Sequence, residues 1–343
     1  MLRPRDLVVV GASAGGVEAL SAFAGGLPGD LPASVLVVLH LPPGAVSALP
    51  AILARSGPLP VREAEDGEPM ERSCIYTAPP DRHLLVEDGV MRLSRGPTEN
   101  GHRPAIDALF RSAARAFGSA VTGVVLSGSL DDGVNGLELI KTRGGRAVVQ
   151  DPGEAVFPSM PENALARVEA DFVLPAKEMG GVLADYVREH VDPAEADPMP
   201  IIDEVELHVA RSGDGAEAGI PEVVDVSEPS GLACPDCDGV LFSLDDRGNR
   251  YRCRVGHAWT AQALFERQTL DIEHALWAAL RALEEQRDLA ARMARDATDR
   301  GFPLVADRYQ RHREESAHAV SVLRRFLYSG VGVAGAGVQD TSA

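Results

Sequence analysis

The sequence predicts an α/β fold in which a doubly wound, mainly parallel sheet carries helices on both faces. Two observations predict it. Short Val- and Leu-rich runs with little polar alternation recur between residues 6 and 190, as strands covered on both faces do. Between them lie segments with apolar residues at helical spacing that end at glycines, the usual helix stop.

In chain order, "LVVVGAS", "ASVLVVLH", "AVTGVVLSGS", "GRAVVQ" and "DFVLPA" supply the strands. "GGVEALSAFAGGLP", "PAIDALFRSAARAFG" and "DDGVNGLELIKTRGG" supply helices, with Pro104 in the first turn of the second. Residues 60–94 differ: short alternating pieces and the turn in "VEDGVMRL" predict a hairpin, an antiparallel addition at the sheet edge. Residues 1–190 thus read as one domain. Residues 191–231, rich in Asp, Glu, Pro and Gly, read as an acidic and mostly disordered linker with one short strand at "IIDEVELHV". A cysteine-bearing module follows at 232–260. A helical hairpin fills 261–328, with Ile272, Leu276, Leu280 and Leu283 on one face and Val320, Leu323 and Leu327 on the second helix, divided at "DRGFP". Residues 329–343 form a small, polar, flexible tail.

Composition narrows the function. The 343 residues exceed one ordinary core. An apolar share of 45% and a charged share of 24% are those of a soluble globular protein. No apolar run approaches the roughly 18–20 residues of a membrane span, so membrane insertion is not expected. The opening Met-Leu-Arg-Pro-Arg-Asp leads into a strand rather than a signal-peptide cleavage site, which points to the cytoplasm. A net charge of −18 argues against a nucleic-acid partner. Three of the four cysteines cluster late in the chain, which in a reducing compartment favours a metal over disulfides. Cys74 stands alone and reads as a small buried hydrophobe.

In an open parallel sheet, chemistry gathers at the carboxyl ends of the strands. Ser13 follows the first strand, His40 ends the second, and Asp132 follows "GVVLSGSL" at the start of a helix. A hydroxyl becomes nucleophilic when a neighbouring imidazole takes its proton, and a carboxylate behind the imidazole fixes its tautomer. Gly11, Gly15 and Gly16 would leave room for an acyl group over Ser13, and the N–H groups of the next helix would face its oxyanion. Each residue also has a structural explanation: Ser13 and Asp132 as helix caps, His40 as a loop histidine. Two rivals fit less well. "GASAG" matches the hydrolase elbow G-x-S-x-G, but that serine follows several strands and its histidine comes last. A dinucleotide-binding turn wants an acid at the end of strand two, where this chain has His40.

Beyond these single residues, "GASAGG", "HLPPG", "EAEDGE", "YTAPPDRHL", "HRPAIDALF", "LSGSLDDGVNGL", "AVVQDP" and "VFPSMPENAL" occur in that order between residues 6 and 190. This series resembles the catalytic domain of the CheB-type chemotaxis protein-glutamate methylesterases. The resemblance implies Ser13 as nucleophile, His40 as general base and acid, and Asp132 as the orienting carboxylate, with no cofactor for catalysis. It implies hydrolysis of γ-glutamyl methyl esters on the methylated cytoplasmic helices of chemoreceptor-type proteins, and deamidation of receptor glutamines. His102 and Arg103 of "HRP" and the "FPSMP" stretch would line the cleft or serve packing; Asp107 reads as structural. Many members carry an N-terminal receiver domain; here the catalytic strand comes first, so that domain is expected to be absent.

The cysteine module has its own signature. Cys234 and Cys237 form C-x₂-C, and Cys253 with His257 forms C-x₃-H, across a hairpin-length segment. Two such arms close a tetrahedral structural Zn²⁺ site in a small ribbon whose folding depends on the metal. Trp259 is expected beneath it. With the helical hairpin, this ribbon suggests a docking or assembly module, including self-association through the C-terminal helices. The alternative to an esterase is therefore a catalytically silent adaptor acting through these parts.

Overall fold

The structure is a computed structural model. It describes residues 3–192, 197–211 and 222–329. Two compact units divide the chain, residues 1–264 and 265–343.

The first unit begins with β1 (Arg3–Pro4), β2 (Leu7–Ala12), α1 (Gly16–Gly26), β3 (Ser34–Leu39), α2 (Leu49–Ser56), β4 (Val61–Glu63) and β5 (Cys74–Thr77). There follow β6 (His83–Glu87), β7 (Val90–Ser94), α3 (Ile106–Phe117), β8 (Val121–Val125) and α4 (Val134–Thr142). β9 (Arg146–Gln150), α5 (Ser159–Arg167), β10 (Phe172–Leu174), α6 (Met179–Tyr186) and β11 (His190–Val191) complete the α/β part. Seven strands form one sheet in the order β10-β9-β8-β2-β3-β5-β4, every pair parallel. Successive β2 residues feed opposite cores: Leu7 and Val9 pack with Phe110 and Ile140 of α3 and α4, Val8 and Val10 with Phe23 and Leu183 of α1 and α6. All four are fully buried, which is why the run shows no polar alternation. The chain leaves β2 toward β3 and leaves β8 toward β9, so the carboxyl ends of β2 and β8 flank a topological switch point.

Three expectations are corrected. β4 and β5 join the main sheet in parallel, since each is entered by a crossover from the same end; only β6 and β7 are antiparallel, as a separate hairpin. Pro104 lies ahead of α3, whose N-cap is Ala105. The segment "IIDEVELHV" is not a strand but α7 (Ile201–Arg211). Its acidic residues hid the helical spacing of Ile202, Val205 and Val209, because Asp203 and Glu206 are buried against arginines rather than solvated. Residues 1–2, 193–196, 212–221 and 330–343, which include part of the expected linker and nearly all of the expected tail, lie outside the described residues. Residues 222–231 of that linker hold a short helix and the start of a strand.

After α8 (Val223–Val226), a four-stranded antiparallel ribbon is built from β12 (Glu228–Ala233), β13 (Val240–Ser243), β14 (Arg250–Cys253) and β15 (Ala258–Thr260). The chain then enters α9 (Ala261–Asp299), and α10 (Pro303–Tyr328) returns along it after a turn at Gly301. Within the second unit, Trp277 meets Tyr328 edge-on at 5.9 Å and Ser316 donates to Gln286 Oε1 at 3.1 Å, pairings that make the two helices antiparallel. Leu280 and Val320 are buried as their spacing predicts, whereas Ile272 is exposed. No helix among the described residues is long and apolar enough to cross a membrane.

Candidate active site and metal centre

Ser13 stands one residue past β2, in the turn before α1; Gly15 caps that helix at φ 66°, a conformation glycine adopts without strain. His40 is the residue after β3, its N–H bonded to Ala12 O at 3.3 Å. Asp132 lies between β8 and α4 and is 2% exposed. The three side chains form one hydrogen-bonded series. Ser13 Oγ–H donates to His40 Nδ1 at 3.0 Å, and His40 Nε2–H donates to Asp132 Oδ2 at 2.7 Å. All three candidate catalytic residues are thus brought together from three strand ends.

Asp132 is further held by the N-terminus of α3, accepting from Ile106 N (2.8 Å) and Asp107 N (3.2 Å). Burial opposes its charge, but the bond to and charge of His40, with the Ile106 N–H, hold the carboxyl well below the ordinary range. It is an anion at neutral pH. The adjacent Asp107 shows the opposite shift: burial first, then the charge of Asp132, push it up. Asp107 accepts from Gly136 N (2.7 Å) and Asn135 Nδ2 (3.2 Å), which ties α3 to α4 and makes its role structural. Asp131 faces away from the triad and accepts from Thr260 Oγ1 at 2.6 Å.

The glycines have another purpose than the one expected. A Cβ on Gly11 would meet Ile106 Cγ2 at 2.3 Å, and one on Gly16 would meet Leu39 and Ala12 at 2.7 and 2.8 Å. They let helices approach the sheet, and at Gly11 that approach brings in α3, whose amide groups hold Asp132. Gly15 instead faces Ser127, Val156 and Phe157, within the "FPSMP" loop region. That loop is tied to the segment after β8 through Gly128 N to Phe157 O (3.0 Å) and Phe157 N to Ser127 Oγ (3.0 Å), and Ser127 Oγ reaches the serine turn at Ala14 O (2.9 Å). Val156 and Phe157 remain 64% and 45% exposed, an apolar lip beside Ser13. The N–H of Ser13 is spent on Ser127 O (2.9 Å), whereas those of Ala14 and Gly15 have no acceptor among the described residues.

A cleft of about 530 Å³ opens over Ser13 and His40, lined also by Pro42, Pro43, His102 and Arg103. Arg103 binds Asp81 twice, at 2.6 and 2.9 Å, joining the "HRP" and "PPDRH" motifs at the rim. The residue that single-position reading undervalued is His102. Its ring stacks on His40 with centroids 3.7 Å apart and planes 9° apart. Burial, then the neighbouring His40, push its pKa down to about 4, so the stacked ring is neutral at physiological pH. Cys74, as expected, is buried in the core.

The predicted metal ligands also converge. The ligating atoms of Cys234, Cys237, Cys253 and His257 all lie within 4.8 Å of one another. Cys237 Sγ and Cys253 Sγ are 3.6 Å apart, and His257 Nδ1 lies 3.7 Å from Cys234 Sγ and 3.6 Å from Cys253 Sγ. A tetrahedron with Zn–S bonds of about 2.3 Å has edges of about 3.8 Å, so the donor set fits a four-coordinate metal. The two knuckles are closed by Asp238 N to Cys234 O (2.8 Å) and Gly256 N to Cys253 O (2.9 Å). Trp259 is buried beneath, in a core with Leu241, Ala263 and Leu264.

Sequence reasoning missed how the ribbon is anchored. Arg252, fully buried, donates to Glu99 (2.9 Å) and Glu206 (3.1 Å); Arg111 donates to both Glu99 oxygens (2.7 and 2.9 Å). Arg250 pairs with Asp203 at 2.7 Å and with Glu206. Three cations and three carboxylates from the ribbon, α7, α3 and the loop before α3 thus neutralise one another in the interior.

Comparison with known proteins agrees with this architecture. The family described as CheB methylesterase matches residues 8–183. The chain is 39% identical over 193 residues to a Methanosarcina mazei protein named protein-glutamate methylesterase/protein-glutamine glutaminase 2, covering 54% of this chain and 52% of that one. An Anaeromyxobacter dehalogenans protein of the same name is 40% identical over 183 residues, with 53% and 54% covered. The chain therefore spans about half the length of the curated relatives it matches. The crystal structure of the Thermotoga maritima CheB methylesterase catalytic domain superposes with a TM-score of 0.51 at 34% identity, over 52% of this chain and 97% of that one.

Proposed function

The chain belongs to the CheB methylesterase family, and from that premise we propose that it is a serine hydrolase that removes methyl esters from glutamyl side chains of chemoreceptor-type proteins. Deamidation of receptor glutamines is part of the same proposal, because an amide can enter the same acyl-enzyme and lose ammonia. The observation that carries it is the unbroken series Ser13–His40–Asp132, at 3.0 and 2.7 Å. Relatives named for both reactions support it.

The chemistry follows from those contacts. Ser13 Oγ attacks the ester carbonyl while Nδ1 of His40 takes its proton. The imidazolium that results is stabilised by Asp132, already ionised and bonded to Nε2. The N–H groups of Ala14 and Gly15, at the positive end of α1, supply donors for the oxyanion. As the C–O bond breaks, His40 returns the proton to methoxide and methanol leaves. Water then gives a proton to His40 and attacks the acyl carbon; the proton passes to Ser13 Oγ as it departs, leaving a glutamate carboxylate. The exposed Val156 and Phe157, packed near Gly15 beside the serine turn, suit a helical substrate surface.

Cys234, Cys237, Cys253 and His257 are the residues that would hold a structural zinc ion, whose four-fold ligation would lock the ribbon. Three thiolates beside a metal suit a reducing cytoplasm. Self-association is assigned to the second unit, where Leu289, Met293, Val322 and Phe326 are exposed. Methanol release from a methylated receptor by wild type and Ser13→Ala tests the reading: release that depends on Ser13 is expected. A chain inert toward both methylated receptor and simple esters would leave the adaptor alternative.

A further inference from the structure

One short strap joins the metal cluster to the triad. Ala258, which follows the ligand His257, donates its N–H to Thr98 O (3.1 Å), and its carbonyl accepts from Asn100 N (2.8 Å). Thr260 N donates to Asn100 Oδ1 (2.8 Å), and Thr260 Oγ1–H donates to Asp131 Oδ1 (2.6 Å). Glu99, between them, is clamped by Arg252, the neighbour of the ligand Cys253, and by Arg111. Residues 98–100 are thereby paired to β15 much as an added strand would be, and His102 turns back onto Glu99.

The other side of the strap meets the catalytic residues. With Oδ1 engaged by Thr260, the Nδ2 of Asn100 is turned to Asp132 Oδ1 at 3.5 Å, the outer edge of hydrogen-bond range. Asn100 sits at φ 53°, a left-handed conformation that asparagine adopts more readily than most residues, and its pairing to Ala258 holds it there. Two residues further on, His102 stacks on His40. The ribbon that holds all this has a very small apolar core: Cys234, Leu241, Cys253, Trp259, Ala263 and Leu264. A ribbon of that size folds when its metal binds.

We propose that Asn100 is a positioning residue for Asp132, and that metal bound by Cys234, Cys237, Cys253 and His257 sets its placement, so that metal occupancy of the ribbon governs turnover at Ser13. The proposal rests on the esterase and zinc readings above. The metal acts from outside the cleft: it orders β15, β15 orders the strap, and the strap presents Asn100 to Asp132 and His102 to His40. Loss of metal releases the strap while the seven-stranded sheet, with its own two cores, persists.

The experiment uses the full chain loaded with zinc, then stripped by a chelator and checked for metal content, with p-nitrophenyl acetate as substrate. Loaded wild type should be active and Ser13→Ala inactive; the reverse ends the esterase reading itself. An active chain that never takes up zinc ends the zinc reading and this proposal with it. Where both hold, stripping should lower kcat about 10- to 100-fold with little change in KM, as misplaced catalytic groups do, and added zinc should restore it. Hydrogen exchange at residues 98–102 should rise on stripping. Asn100→Ala should show part of the same kcat loss with zinc bound, and stripping should then cost it less than it costs the wild type. Asn100→Asp keeps the acceptor for Thr260 but not the donor to Asp132, so it should fall with Asn100→Ala; a purely structural role would let it recover. An unchanged kcat in metal-free protein, or losses from Asn100→Ala and stripping that multiply, would overturn the proposal.

Discussion

The rings of His40 and His102 lie parallel, 3.7 Å apart, so the proposed general base works against a second imidazole rather than against solvent. Stacking limits how His40 can rotate, and a neutral neighbour does not oppose the imidazolium that forms on it. A protonated neighbour would.

This gives a pH prediction. His102 is depressed to about 4, chiefly by burial, against about 6.5 in an unfolded chain. A histidine with a lowered folded pKa contributes stability that is fully present above the unfolded value and is lost as pH falls toward the folded one. Stability should therefore fall between about pH 6.5 and 4, and kcat should fall at the acid end as a cation forms on His40's stacking partner. His102→Asn should remove the His102 contribution to the acid-side loss of stability while lowering kcat at neutral pH. Denaturation midpoints and pH–rate profiles of both proteins check this; identical acid limbs would count against it.

Asp132 and Asp131 are adjacent in sequence and differ in partner. Asp132→Asn should reduce kcat by about 10⁴, the usual cost of neutralising a triad carboxylate, with the far-ultraviolet spectrum unchanged. Asp131→Asn keeps an acceptor oxygen for Thr260 Oγ1 and removes only the charge, so it should cost far less. Equal losses would reassign the roles.

Gly11→Ala tests whether helix approach positions the acid. The new Cβ would fall 2.3 Å from Ile106 Cγ2, and Ile106 N is a donor to Asp132. Overpacking of this kind costs about 1–3 kcal/mol. Both the melting temperature and kcat should drop; a drop in stability with kcat untouched would uncouple α3 from the carboxylate.

Much of this was legible in the residues, for physical reasons. Buried parallel strands leave unbroken apolar runs, so β2, β3, β8 and β9 stood out, and the strand-end rule then selected Ser13, His40 and Asp132. The convergence of Cys234, Cys237, Cys253 and His257 was signalled by their chelate spacing. What failed was any feature whose meaning depends on a distant partner. α7 read as a short strand in an acidic linker because Asp203 and Glu206 are acidic, and Arg250 and Arg252, more than forty positions away, make them interior residues. The edge strand β4 and its neighbour β5 are too short to show that their pairing is parallel. Gly11 looked like space for a substrate until Ile106 was seen to occupy it.

The buried charge cluster carries its own prediction. Glu99→Gln leaves Arg111 and Arg252 partly uncompensated inside the protein, a change that costs about 3–5 kcal/mol. Urea denaturation should show it, with hydrogen exchange rising first in the ribbon and α7. Loss confined to α3 would contradict the anchoring role.

The most direct measurement is covalent labelling of the full chain with a fluorophosphonate, read by peptide mass spectrometry. A serine activated through His40 and Asp132 should be labelled at Ser13 alone, rapidly, and His40→Ala or Asp132→Asn should suppress it. Labelling that ignores those substitutions, or that falls on another residue, would contradict the claim that these three side chains act as one.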